Sequence, residues 1–166
     1  LRSRRIRKLR ALMLSERTLP VAPGAAAAKL LAEGAAGLGM AKLPWSKAQL
    51  QFRDRVNFLR RAEGDEWPDL SDRALARTAT GWLAPFLDGK TALSQVVADD
   101  LAAALDVLVP WNLRQRLNAE APTHFMAPSG SNVPIDYEGE EGPKLAIRVQ
   151  ELFGLAVHPV IARGHV

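Results

Sequence analysis

The chain has 166 residues, of which 48% are apolar and 24% charged, the balance of a folded globular protein rather than a disordered or fibrous one. Its formal charge is +4, but six of its 22 Lys and Arg residues fall in the first ten positions, which hold no acid, leaving 16 cations against 18 acids elsewhere. Cysteine is absent, which excludes disulfide scaffolds, thiol catalysis and cysteine zinc sites and fits a reducing, cytoplasmic setting, and no apolar run approaches the ~20 residues of a membrane span.

Residues 1–22 form a basic segment on a near-neutral body. Ile6, Leu9, Leu12, Met13 and Leu14 suit either a helix face or strand alternation, and Pro20 with Pro23-Gly24 closes the segment as a turn. The chain starts at Leu1 rather than Met, and with the charge asymmetry this reads as an excerpt of a longer protein. An alanine-rich helix follows over 25–36, weakened by Gly34, Gly37 and Gly39.

Ser46 with Gln49 three residues on is a capping box. Behind it Ala48, Phe52, Val56 and Leu59 make one apolar stripe on a helix ending near Gly64. Trp67-Pro68 breaks the chain, and Ser71 opens a helix with Leu75, Ala79, Trp82, Leu83 and Phe86 inward, bent near its end by Pro85. Ser94 begins another helix, with Val97, Leu101, Leu105 and Leu108 on its stripe, and Val109-Pro110-Trp111-Asn112 starts a short one through Ala119. The middle of the chain is thus an all-α bundle.

After Pro122 the period changes to two. Val133, Ile135 and Tyr137, then Leu145, Ile147 and Val149, alternate with other residues around the polar turn 138–143, so 132–150 reads as a β-hairpin. Phe125-Met126-Ala127 and Val160-Ile161 are candidate further strands. A lone hairpin is marginal in water, so the sheet is expected to recruit the N-terminal segment or chain beyond Val166.

No catalytic constellation emerges. Asp88-Gly89-Lys90-Thr91 ends like a phosphate-binding loop, but Ala84 stands where that pattern needs glycine, and a helix rather than a strand precedes it. His124, His158 and His165 lack metal-ligand spacing, and Ser129 and Ser131 have no partner base. Two features point to nucleic acid. One is the basic arm of Arg4, Arg5, Arg7, Lys8 and Arg10; the other is the loop Pro128-Ser129-Gly130-Ser131-Asn132 beside strands carrying Tyr137 and Arg148. Tyr137 shares its face with Val133 and Ile135, which argues for a place partly in the core.

Several stretches together resemble a known family. Ala121-Pro122-Thr123-His124-Phe125, Pro128-Ser129-Gly130-Ser131, Ile135-Asp136-Tyr137 and the run from Leu145 through Arg148 and Phe153 to Gly154 closely resemble the C-terminal part of bacterial HrpB-type ATP-dependent helicases, relatives of the DEAH-box RNA helicases. Leu12-Met13-Leu14-Ser15-Glu16, Leu43-Pro44-Trp45 and the run from Pro110 to Leu117 resemble the preceding segment in the same order. The resemblance implies two RecA-like motor domains elsewhere in the polypeptide, which bind ATP and magnesium, followed by helical and oligonucleotide-barrel-like accessory domains. It favours strand over helix for residues 5–18.

The expected fold is therefore α+β: a helical bundle followed by a small antiparallel, incomplete OB-like sheet, with the N-terminal segment as a candidate strand of it. The expected parts are a basic strand segment at 1–22, a helical accessory domain at 23–122, and an OB-like segment at 123–166 that stops mid-sheet. Such a chain holds no cofactor or metal of its own and hydrolyses no ATP alone. Arg4, Arg5, Arg7, Lys8 and Arg10 would attract phosphates, Ser129 and Ser131 would donate hydrogen bonds, and Arg148 would stack or pair with a phosphate. RNA or another single-stranded nucleic acid and the motor domains of the same chain are the expected partners. The rival expectation is a protein-interaction module that binds no nucleic acid.

Overall fold

The computed structural model describes the chain except Ala11, Glu140, residues 156–159 and residues 163–166. It is an α+β structure in which six helices separate an N-terminal strand pair from a small antiparallel sheet. Contacts group the chain into two compact units that interleave in sequence: Leu1–Pro44 with Leu75–Leu105, and Trp45–Ala74 with Asp106–Val166. Among the described residues, no helix is long and apolar enough to cross a membrane.

In the first unit, β1 (Ser3–Leu9) pairs antiparallel with β2 (Leu12–Leu19), from Ser3 opposite Leu19 to Leu9 opposite Leu12, with a register shift between Arg7 and Lys8. The ambiguous N-terminal segment is thus strand, but it pairs with itself as a separate two-stranded sheet instead of joining the C-terminal one. The two-residue connection explains why: strands joined by so short a turn satisfy each other's backbone groups first. Helix α1 (Ala25–Leu38) packs on α4 (Ala79–Trp82) and on the 3-10 turn Ala84–Leu87. It buries Ala27, Ala28, Leu31, Ala32 and Ala35, small side chains that let the backbones approach closely.

The single helix expected from Ser71 is broken into α3 (Asp72–Arg77), α4 and the 3-10 turn. Thr78 leaves helical geometry at φ −110°, ψ 12°, and Pro85 lies in the first residues of the 3-10 turn. Leu75, Ala79, Trp82 and Leu83 are nonetheless buried, because the breaks re-aim the chain without reversing its inner face. The Trp82 indole N–H donates to the Leu75 carbonyl at 2.9 Å across the first break. Helix α5 (Ala98–Leu108) starts four residues later than Ser94, after a 3-10 turn at Leu93–Gln95, and Asp100 caps it by accepting from the Val97 N–H at 2.8 Å.

In the second unit, α2 (Lys47–Glu63) begins with the Ser46–Gln49 capping box and ends at Gly64, whose φ of 94° only glycine adopts without strain. Val56, Phe58 and Leu59 are buried, and α2 packs on α6 (Trp111–Glu120), which buries Leu113 and Leu117. The sheet has the order β3 (His124–Met126), β4 (Asn132–Asp136), β5 (Lys144–Leu145), all antiparallel.

Pro134 limits this sheet. Ile135 donates its N–H towards β3, to the Thr123 carbonyl at 3.0 Å, so by alternation the missing N–H of Pro134 falls on the β5 side. There β5 pairs only with Ile135 and Asp136. The expected hairpin over 132–150 is accordingly shortened, and Val149 begins a 3-10 turn, Val149–Leu152, instead of ending a strand. Val160 and Ile161 are in no strand.

Candidate nucleic-acid interface

Strand alternation puts Arg5 and Arg7 on one face of the β1–β2 hairpin and Arg4 on the other, all exposed. Arg10 stands at the tip, exposed, with φ 53°, a left-handed conformation uncommon outside glycine and asparagine. Among the described residues the side chains of Arg5, Arg7 and Arg10 have no hydrogen-bond or ion-pair partner. The backbone of Lys8 continues β1, and its side chain lies outside the described residues. The five cations named from the sequence therefore come together on one hairpin of the first unit.

Ser129, Ser131 and Arg148 belong to the second unit. The serines share a tight turn closed by Ala127 N–H to Ser131 carbonyl and Gly130 N–H to Ala127 carbonyl, both at 2.9 Å. Their hydroxyls already bond each other at 3.2 Å, and the Ser131 N–H reaches the Ser129 hydroxyl at 3.4 Å, so both stabilise the turn. Arg148 is exposed just before the 3-10 turn at Val149–Leu152. A Cβ on Gly154 would lie 3.8 Å from that of Pro128, which sets the serine turn beside the chain that follows.

Tyr137 belongs to the core. It is buried, its hydroxyl donates to the Pro122 carbonyl at 2.7 Å, and its ring lies 5.3 Å from that of Phe58. Burial pushes its phenol up to about 12, against the opposing effect of the Arg55 charge, so it is a neutral anchor at physiological pH. Lys90, in the imperfect phosphate-loop pattern, is engaged by Asp100 at 3.2 Å. His158 and His165 lie outside the described residues, and among the described residues no group of acids and histidines could hold a metal.

Several arginines that look like surface charge in sequence are structural. Arg53 and Arg55 of α2 are only 7% and 5% exposed. Arg53 donates to the Leu70 carbonyl and to Asp72, and stacks over Trp45. Arg55 donates to the Ala121 and Leu117 carbonyls and to Asn118, which holds the C-terminal end of α6 against α2, and burial lowers its basicity. Arg116 pairs with Glu63, Glu66 and Glu120 while covering Trp67, and the bonds to Glu66 and Glu120 hold it more firmly protonated.

The second unit also has a cleft of about 840 Å³ between the first turns of α2 and strands β4 and β5. Leu50, Ile135 and Ala146 supply apolar lining, and Asp54, Asp136 and Glu138 supply carboxylates. Burial raises Asp54 above the ordinary carboxylate range; Arg53 opposes this, and Glu138 and Asp136 add to it. Sequence reasoning missed this site. Its one local signal is an acid flanked by Arg53 and Arg55, and the other two carboxylates are more than eighty residues away.

The described residues thus comprise a strand pair rich in exposed arginine, a set of helices and a small open sheet, with no nucleotide-binding loop among them. The family model for the C-terminal region of ATP-dependent helicases matches residues 82–166, just over half of the chain, and the chain belongs to that family. Among individual proteins it is similar to the ATP-dependent RNA helicase HrpB of Escherichia coli (strain K12), 35% identical over 129 residues, which are 77% of this chain and 16% of that protein. The crystal structure of the E. coli DEAH/RHA helicase HrpB superposes with a TM-score of 0.75 at 31% identity, over 93% of this chain and 20% of that one. A structure described as the E. coli DExH-box NTPase HrpB gives a TM-score of 0.77 at 29% identity, over 100% and 22%. The chain thus spans between about a sixth and a fifth of the length of these relatives.

Proposed function

We propose that this chain is the accessory part of an ATP-dependent RNA helicase that makes nonspecific contact with the nucleic-acid strand and packs against the RecA-like motor domains of the same polypeptide. ATP and magnesium are used by the motor, and this region shapes the path of the strand leaving it, in the cytoplasm. The observation that carries the proposal is the set of exposed, unpartnered arginines Arg5, Arg7 and Arg10 on the β1–β2 hairpin, in a chain of the helicase C-terminal family. Unpaired guanidinium groups gain most from phosphate, because they give up no existing ion pair on binding. Arg4 and Lys8 on the same hairpin add to that attraction. Ser129 and Ser131 exchange their mutual hydrogen bond for phosphate oxygens, and Arg148 adds a guanidinium.

Ultraviolet crosslinking to a single-stranded RNA oligonucleotide, followed by mapping of the modified peptides, tests this. The expected result is crosslinks in residues 1–19 and in the 128–148 stretch. Crosslinks confined to the helices, or none, would overturn it.

A second reading, a protein-interaction module, is favoured by Trp111, Val149 and Phe153 of the second unit, which are 73%, 73% and 72% exposed. Large apolar side chains left in water at this level often mark contact with another protein surface. The two readings share packing on a motor domain and differ in whether the chain itself contacts nucleic acid, which the crosslinking decides.

A further inference from the structure

The cleft in the second unit has features that phosphate contact does not use. Asp54 projects from α2 into it, half-buried, with no hydrogen-bond or ion-pair partner among the described residues. Its sequence neighbours Arg53 and Arg55 are committed elsewhere, one to Leu70 and Asp72, the other to Ala121, Leu117 and Asn118. The remaining carboxylates are also poorly balanced. Glu138 is exposed on the rim, and among the described residues Asp136 accepts only a backbone N–H, that of Glu138, at 2.8 Å. Lys144 is engaged by Glu141 at 3.0 Å, which leaves Lys47 as the remaining lysine among the lining residues.

The cleft floor is apolar, and the sheet beside it is open. Strand order β3-β4-β5 leaves one side of β5 without a strand neighbour among the described residues, and Lys144 and Ala146, at and just after β5, are part of the cleft lining. An open strand edge next to an apolar trough is how extended peptides are bound: main-chain bonds supply affinity, and alternate side chains fill the trough. Three carboxylates rule against a phosphate backbone there and select a cationic side chain.

We propose that this cleft is a docking groove for an extended, lysine- or arginine-bearing segment of a partner protein. The segment lies alongside β5, sets an apolar side chain on Leu50 and Ala146, and gives Asp54 a direct ion pair, which the nearby charges of Arg53 and Arg61 do not form among the described residues. This site is independent of the RNA-contact reading: it lies on other residues and calls for the opposite charge in its ligand.

The test is titration of the 166-residue chain with a fluorescein-labelled heptapeptide of alternating lysine and valine, with heptalysine and a glutamate–valine heptapeptide as comparisons. The lysine–valine peptide is expected to bind at least tenfold more tightly than either, and to shift the amide resonances of Lys144, Leu145 and Ala146. Asp54→Asn, which keeps the side-chain shape, is expected to weaken binding at least fivefold. Glu138→Gln, at an exposed position, is expected to weaken it in the same direction and serves as an independent second variant. Equal binding of heptalysine, no binding of any peptide, or affinity unchanged in both variants would overturn the proposal. So would displacement of the peptide by single-stranded RNA with the same amide shifts, which makes the cleft an RNA site, or self-association of the chain abolished by Glu138→Gln, which makes the occupant a second copy.

Discussion

Burial is the largest cause of the raised pKa of Asp54; Arg53 and Arg61 oppose it, and Glu138 and Asp136 add to it; Lys47, Lys144 and His124 line the same cleft. A carboxyl whose folded pKa lies above its unfolded value of 3.8 favours the folded state while protonated, and that contribution is lost as pH rises through the folded pKa. Asp54→Asn is therefore expected to be more stable than the parent at pH 7, with the advantage shrinking as pH falls towards 3.8, as urea midpoints at the two pH values would show. Arg55 is the opposite case. Its replacement by methionine leaves the Ala121 and Leu117 carbonyls without their donor, and is expected to cost about 2 kcal/mol in urea denaturation. Neither role was legible in sequence. Periodicity treats an arginine on a helix as solvated, and the carbonyls that bury Arg55 belong to residues more than sixty positions away. Tyr137 was legible, because Val133 and Ile135 at spacing two placed it on the inner face.

Among the elements, α2 was the easiest to read, since its start depends on local chemistry. The Gln49 N–H donates to the Ser46 hydroxyl at 3.2 Å, and the Ser46 N–H to the Gln49 side chain at 2.9 Å. Ser46→Ala is expected to cost about 1 kcal/mol in thermal or urea unfolding. At the tip of the β1–β2 hairpin, Arg10→Gly is expected to relieve about 1 kcal/mol of left-handed backbone strain and slow hydrogen exchange across the strand pair. The same change should weaken RNA binding. The elements that departed from expectation did so for identifiable reasons. Thr78 and Pro85 split the helix after Ser71 while its apolar positions stayed inward. Pro134 denied β5 a longer ladder. Alternation alone also left open which strands would pair, and the two-residue connection after Leu9 decided that β1 and β2 pair with each other.

For the whole molecule, the sequence shows consecutive basic, helical and strand-bearing stretches, whereas packing groups Leu1–Pro44 with Leu75–Leu105 and Trp45–Ala74 with Asp106–Val166. Such interleaving depends on long-range contacts that no local pattern encodes. The family was legible nonetheless, because the motif-bearing stretch from Ala121 to Gly154 lies inside the 82–166 match. The charge separation follows the same division: the exposed, unpartnered arginines on β1 are in the first unit, and the carboxylate-lined cleft is in the second. If the hairpin arginines hold a nucleic-acid strand by its phosphates, their removal must change the salt dependence of binding. The decisive experiment is fluorescence anisotropy of labelled single-stranded RNA, titrated with the chain and with Arg5→Ala/Arg7→Ala over a range of salt concentrations. Binding at low salt is expected to fall steeply as salt rises, with a log–log slope shallower by about 1.4 in the double variant, ~0.7 for each phosphate no longer neutralised. Equal affinity and slope in the two proteins, or no binding by the parent at low salt, would refute phosphate contact by the hairpin.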